Sequence, residues 1–297
     1  MPMIVDPAAP HVTPPDRVTS PDGWLAAIVD PVWAGVVLSV DYTAGTAPLA
    51  DAADVMWVRI VRQDPGAAAP VGVRSADRAW AVEGVGTAYD GEAPLGVSVA
   101  YTATAIYADG SSGPTSSLAV TVPAPEPGDD LDLWIKSVDE PGLSVRAMLV
   151  EWSGATAAGR VDKTAVAGSP YNVLAYDEHG AEVQQIVIDV PPEQVDQVRR
   201  LLRSGVLLAQ ARSEYLFADA FHVPEDISGP TPTGKLGSSG GYRFGWTIEP
   251  IERPDPTDQP MRLPHWSWDA LVDQFASWDA VGASYSSWAS LSTNGVT

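Results

Sequence analysis

Between Trp24 and Val122 the chain runs through short apolar and β-branched stretches, GVVLSVDYTA, VMWVRIVRQ, PVGVRSA, AWAVEGV, GVSVAYTATAIYA and SLAVTV, each followed by glycine, proline or aspartate. The runs have strand length. Branched and aromatic side chains favour a pleated backbone, and the turn residues end it. The pattern is sharpest at Val97, Val99, Tyr101, Ala103, Ala105 and Tyr107. That period of two predicts one face turned inward, and Asp109-Gly110 predicts the reversal that follows. Several short strands at this spacing predict a β-sandwich over 24–122. Residues 1–23 carry six prolines, which exclude a helix or a central strand and predict an extended arm that lies on a neighbour.

A second block of strand-like runs covers 131–254: LDLWIKSVDEPGLSVRAMLVEW, SPYNVLAYDEHGAEVQQIVIDV, GVLLAQARSEYLFADAFHV and YRFGWTIEPIERP. Between the blocks, PAPEPGDD at 123–130 predicts a stiff linker, because proline holds an extended backbone and the carboxylates repel. The period becomes helical once, over 192–204. Pro191-Pro192 opens that helix and Glu193 suits its positive end. Val195, Val198 and Leu202 share a face, and Arg199, Arg200 and Arg203 suit its C-terminal end before Gly205. One helix on a mainly antiparallel sheet is therefore expected. Residues 222–241, HVPEDISGPTPTGKLGSSGG, are too many for an ordinary hairpin loop and predict a functional or disordered excursion.

The segment 255–297 ends in a repeat: SWDALVDQFA, SWDAVGASYS and SWASL place Trp268, Trp278 and Trp288 ten residues apart. Trp268, Leu271, Val272 and Phe275 stand at i, i+3, i+4 and i+7, and Trp278, Val281 and Tyr285 at i, i+3 and i+7. Each unit predicts a small amphipathic helix. Ser267, Ser277 and Ser287 sit where an N-cap belongs, and Asp269 and Asp279 fall in the first turn. A ten-residue step turns successive tryptophans by about 80° on one helix, so three short helices fit better than one long one. Such helices are marginal alone, since ~12 to 15 residues are needed in water. They are expected to dock through their tryptophans, each able to bury ~150 to 250 Å². The candidate interface residues are thus Trp266, Trp268, Leu271, Phe275, Trp278, Val281, Tyr285, Trp288 and Leu291. The surface they grip is the chain's own β units, a sister subunit or another protein; a sugar face suits a regular helical stripe less well.

Charge and composition remove whole classes of function. Seventeen Lys and Arg against thirty-eight Asp and Glu give a net charge of -21, which opposes specific nucleic acid binding and anionic membrane surfaces. No stretch approaches the ~20 apolar residues of a membrane span, and the start of the chain lacks a signal-peptide pattern. The absence of cysteine removes disulfides, thiolate metal sites and thiol nucleophiles. GSSGG at 237–241 imitates a nucleophile elbow around Ser239, yet it lacks the strand before and the helix after. GPTPTGKL at 229–236 has phosphate-loop spacing, but Pro230 and Pro232 remove amide donors and the final Ser or Thr is missing. His11, His179, His222 and His265 show no ligand spacing. Asp129, Asp130 and Asp132 lack the rest of a calcium loop, and Glu182, Asp189 and Glu193 form no readable acid pair. No catalytic, cofactor or metal site is expected.

Two resemblances sharpen this reading. YTATAIYADGSSGPTS, residues 101–116, resembles the penultimate strand, turn and last strand of a fibronectin type III domain, which implies a corner hydrogen bond from Tyr101. LWIKSVDEPGLSV, SPYNVLAYDEHGAEVQQIVI, the helix running into LLRSGVLLAQ, and RFGWTIEPIERP resemble, in that order, the central domain of minor tail proteins of long-tailed actinobacterial phages. Those domains are similar to the strand, helix and strand barrel of tail-tube and distal tail proteins, which form rings. The resemblance implies a mainly β chain: a fibronectin III-like sandwich, a tail-tube-like β barrel with one helix, and a C-terminal run of short helices. It also implies a non-enzymatic structural component of a tail tip or baseplate, made in the host cytoplasm and carried in the virion. Its expected partners are further copies of itself, six in the first expectation and three in the second, and tail-tube, distal tail and baseplate proteins. The alternative is a receptor- or carbohydrate-binding tail protein that contacts a host surface glycan.

Overall fold

The computed structural model describes residues 17–126, 129–157, 161–165, 170–176, 182–211, 218–234, 240–254 and 274–285, with single residues 159, 167, 168, 215, 271, 272 and 291. The chain is mainly β. Its first unit holds β1 (Arg17–Thr19), β2 (Leu25–Asp30), β3 (Gly35–Asp41), β4 (Val55–Gln63), β5 (Val71–Gly72), β6 (Ala79–Trp80), β7 (Val85–Asp90), β8 (Ser98–Tyr107) and β9 (Ser112–Thr121). One sheet has the order β1-β2-β3-β7; the other has β5-β4-β8-β9 with β6 also on β4. The alternation read from the sequence closes a core between them: Val36, Leu38 and Val40 of β3 meet Val58 and Ile60 of β4 and Val99, Tyr101, Ala103 and Ala105 of β8. At the end of β8, Asp109 accepts from the Ser111 backbone and hydroxyl, and Gly110 takes φ +82°, a conformation glycine reaches without strain.

The second unit comprises β10 (Leu133–Ser137), β11 (Val145–Trp152), β12 (Thr156–Ala157), β13 (Val161–Ala165), β14 (Asn172–Tyr176), β15 (Glu182–Val190), α1 (Val195–Leu201), β16 (Leu207–Ala211), β17 (Ala220–His222), β18 (Glu225–Pro232) and β19 (Tyr242–Ile248). Its eight-stranded sheet has the order β17-β16-β10-β11-β15-β19-β18, with β12 on β15. The sheet curls on itself, so that Ile251, just past β19, bridges Phe221 of β17. Inside the curl, Trp246, Phe244, Ile186, Ile188, Leu133 and Ile135 pack under Val198, Leu201 and Leu202 of the helix. β13 and β14 pair with each other over five positions and, among the described residues, with no other strand.

Three expectations change. The predicted arm 1–23 does not stay apart: Arg17–Thr19 pair with β2 as an edge strand, where proline-poor residues can use their backbone donors. The predicted helix 192–204 begins as a 3-10 turn at Pro192–Gln194 and continues as α1, with Gly205 at φ +110° just beyond. The 222–241 excursion contains β18 over Glu225–Pro232, paired to β19 through irregular register, so its middle is a strand and not a loop.

His222, one of the scattered histidines, lies wholly inside this core. Trp246 Nε1 donates to its Nε2 at 3.0 Å, which leaves Nδ1 as the protonated nitrogen facing Ala220 O at 3.2 Å. Burial lowers its pKa to about 4. An unfolded histidine takes up its proton near 6.5, so between those values the unfolded chain holds more protons and stability falls as pH drops. We expect urea unfolding at pH 4 to show up to about 3 kcal/mol of loss from this residue. His222→Gln, whose oxygen can still accept from Trp246, should lack that share of the pH dependence.

Candidate functional site at the junction of the two β units

β10 and β16 are buried along their whole length, which a strand with one wet face cannot be. Leu133, Ile135, Leu207 and Ala209 point into the second unit's core. The alternate residues Trp134, Lys136 and Gln210 therefore face the first unit. Trp134 enters that unit's core, with the Arg146 guanidinium 5.9 Å from its ring centroid. Lys136 Nζ donates to Ala34 O at 2.7 Å and Gly91 O at 2.9 Å. Gln210 Nε2 donates to Ala93 O at 3.2 Å and Asp219 Oδ2 at 2.7 Å. The carbonyl of Ala34 is offered by a tight β2–β3 turn: Asp30 accepts from the Val32 and Trp33 amides, and Ala34 holds φ +49°, an uncommon value for a non-glycine residue.

A second set of charges surrounds the amine. Glu92 accepts from Arg74 Nε at 2.5 Å and from Arg253 Nε at 2.6 Å. Arg253 also reaches Gly72 O and Arg74 reaches Pro254 O, so the strand exit after β19 is tied back to the first unit. Behind them Arg62 bridges Asp64 and Asp90, and Tyr101 donates to Asp90 at 2.8 Å. Burial raises the Asp90 pKa, but the Arg62 charge and the bonds from Arg62, Tyr101 and the Glu92 amide outweigh it and hold the carboxyl below its ordinary value. Burial lowers Lys136 to about 8 against the pull of Asp90, Asp219 and Glu92.

This arrangement positions; it has no room for a substrate. The cavity beside Lys136, lined by Trp33, Arg74, Tyr89 and Glu92 among others, measures about 40 Å³, a few water molecules against the ~300 to 1,000 Å³ of ordinary ligand sites. Two open depressions of about 380 and 370 Å³ flank the end of α1, where Arg199 and Arg203 border both and Arg200 the second.

The structure locates part of the predicted site. Trp266, Trp268 and Trp288 lie outside the described residues, as do Ser239, His11, His179 and His265. Leu271, Val281 and Leu291 are buried together, with Phe275 and Tyr285 packed edge-on at 5.9 Å. They form a cluster separate from both β cores. Helix α2 (Trp278–Ser284) starts at Ser277, whose hydroxyl accepts from the Ala280 amide at 3.3 Å as its N-cap. Trp278 itself is 60% exposed and Val272 71%. The ten-residue repeat is thus filled by Leu, Val and Leu, and the described tryptophan turns outward. Tyr101 has a buried hydroxyl partner, but it is the Asp90 carboxylate. Asp189 pairs with Arg243 and Asp129 with Arg146, while Asp132 accepts from the Leu149 amide and the Tyr215 hydroxyl. Pro230 and Pro232 belong to β18, which excludes a phosphate cradle there. Among the described residues no group of three or more His, Asp or Glu could hold a metal, and no helix is long and apolar enough to cross a membrane.

Sequence reasoning missed the junction, although LWIKS and LLAQA carry its signal: Lys136 and Gln210, long polar side chains inside runs otherwise fit for full burial. Compared with family models, with curated proteins and with solved structures, the chain matches none.

Removing Asp90 takes the buried carboxylate from Arg62, leaving it the partly exposed Asp64, and takes the acceptor from Tyr101. Asp90→Ala should cost about 3 to 5 kcal/mol in denaturant unfolding. Arg62→Met with Asp90→Ala should cost less than the two changes summed, which a double-mutant cycle reads directly. For Lys136, an unfolded lysine holds its proton to about 10.5 and the folded one to about 8. Between those values the unfolded chain binds more protons and stability rises with pH. Lys136→Met should lack that rise, of up to about 3 kcal/mol, on comparison of the two pH profiles.

Proposed function

We propose that this chain is a non-enzymatic structural component of a phage tail tip or baseplate. In this reading its first unit is fibronectin III-like and its second tail-tube-like. The second unit assembles into a ring with further copies, six by preference, and the assembly docks tail-tube, distal tail and baseplate proteins within the virion. The observation that carries the reading is the β13–β14 hairpin. Among the described residues it pairs with no other strand and leaves Tyr171 79%, Val173 60% and Leu174 54% exposed, and a two-stranded hairpin with apolar residues in water is marginal by itself. An arm of this kind is suited to a neighbouring subunit. The ordered resemblance over 131–254 supplies the context, and the three arginines at the end of α1 offer an attachment point to an otherwise acidic surface.

The arm can be removed cleanly, because Ala157 and Glu182 are directly paired across β12 and β15. Replacing 158–181 with Asn-Gly closes that pair with a two-residue turn. The shortened chain should keep its monomer unfolding midpoint but fail to form rings by light scattering and fail to enter tails. Normal rings from the shortened chain would remove the proposal. Truncation before Trp266 should likewise abolish incorporation into particles while leaving the two β units folded.

A further inference from the structure

The outward face of the first unit's second sheet carries an aromatic group that the fold does not use. Trp57 of β4 and Trp80 of β6 are directly paired, with ring centroids 6.0 Å apart and planes at 51°. Trp80 is 69% exposed. The Arg78 guanidinium sits 5.4 Å from the Trp57 ring centroid, a favourable cation and π-face geometry. Arg59, two residues along β4, pairs with Asp77 at 3.2 Å. Across the same face Arg59 lies in register with Thr104, and Thr104 with Thr115; one row on, Thr102 and Ser117 share a 2.9 Å hydrogen bond at the surface.

A cross-strand aromatic pair contributes to sheet stability, and this accounts for Trp57. It leaves most of Trp80 in water. Two indoles offer at most about 500 Å², short of the ~800 Å² that each partner of a stable protein interface buries. Ile106, in register with Trp57, and the half-exposed Val82 extend the group only slightly, and the rest of its border is made of hydroxyls and of charges of both signs. A pyranose ring has the matching chemistry. Its axial C–H face is apolar and slightly positive, which suits the negative π-face of an indole, and its hydroxyls both donate and accept, as the Arg59, Asp77, Arg78 and threonine border requires. The angle between the two indoles fits successive rings of a chain, which are rotated relative to one another.

We propose that Trp57, Trp80 and Arg78, bordered by Arg59, Asp77 and Thr104, form a binding site for a neutral pyranose oligosaccharide. One sugar stacks on the exposed face of Trp80, the next lies against the edge of Trp57, and Arg78 donates to a hydroxyl between them. The site stands independently of the assembly role proposed above, because it needs only the folded first unit.

The test uses the full chain with chitotetraose and cellotetraose, followed by calorimetry and by the indole N–H signals in NMR spectra. We expect at least one of them to bind with Kd about 0.1 to 1 mM and to shift the Trp57 and Trp80 signals. Trp80→Ala should weaken binding roughly tenfold or more, and Arg78→Ala several-fold, with each variant still folding cooperatively and losing no more than about 1 kcal/mol for its surface contact with Trp57. Trp278→Ala in the tail should leave binding as it was. Failure of both oligosaccharides to bind overturns the proposal. So does binding that survives Trp80→Ala or is lost with Trp278→Ala, and so does a Trp80→Ala variant that changes oligomeric state and leaves sugar affinity intact.

Discussion

A lysine amine enclosed between two β units dictates how the rest of this molecule is arranged. An ammonium group taken out of water costs several kcal/mol unless hydrogen bonds and opposite charge replace its hydration. Lys136 finds both at the carbonyls of Ala34 and Gly91 with Asp90, Asp219 and Glu92 nearby. A seating that parted the amine from these groups would leave it buried without partners or expose it. Apolar contact between Trp134 and the first core supplies attraction; the amine supplies discrimination between seatings. The strained Ala34 turn, the Arg74–Glu92–Arg253 bridge and the return of the chain at Pro254 all converge on that same contact.

The contact explains what was legible in the sequence and what was not. Local rules worked wherever one element decides its own shape. The period of two in β8, the Asp109-Gly110 turn, the glycine beyond α1 and the Ser277 N-cap each depend on neighbours within a few residues. The junction depends on residues about a hundred positions apart, such as Lys136 with Ala34 and Gln210 with Ala93, and no periodicity encodes such a pair. The acidic prolines of 123–130 read as a spacer for the same reason: composition reports stiffness, whereas the seating of the units is set by Trp134 and Lys136 beyond it.

The tail shows a subtler limit. A spacing of ten was visible, and short helices interrupted near Ser277 agree with it. Helical templates cannot say which apolar residue of a unit turns inward. A cluster of three short segments has a small centre, which Leu271, Val281 and Leu291 fill without the volume of an indole. Trp278 is left largely exposed at the surface. A helix that would not persist alone is thus held through Val281 and Tyr285 against Leu271, Phe275 and Leu291.

Charge sets the final constraint on the assembly we propose. Copies carrying -21 each repel one another strongly at short range. At physiological salt that repulsion fades over about 8 to 10 Å. A strand of five residues reaches about 17 Å at the usual rise of ~3.3 Å per residue, longer than the screening length. An arm such as β13–β14 can therefore lay Tyr171, Val173 and Leu174 on a neighbour while the acidic bodies stay far enough apart for salt to screen them. A chain of this composition gains more from reaching outward than from pressing broad faces together, and three of its exposed apolar residues stand on that arm.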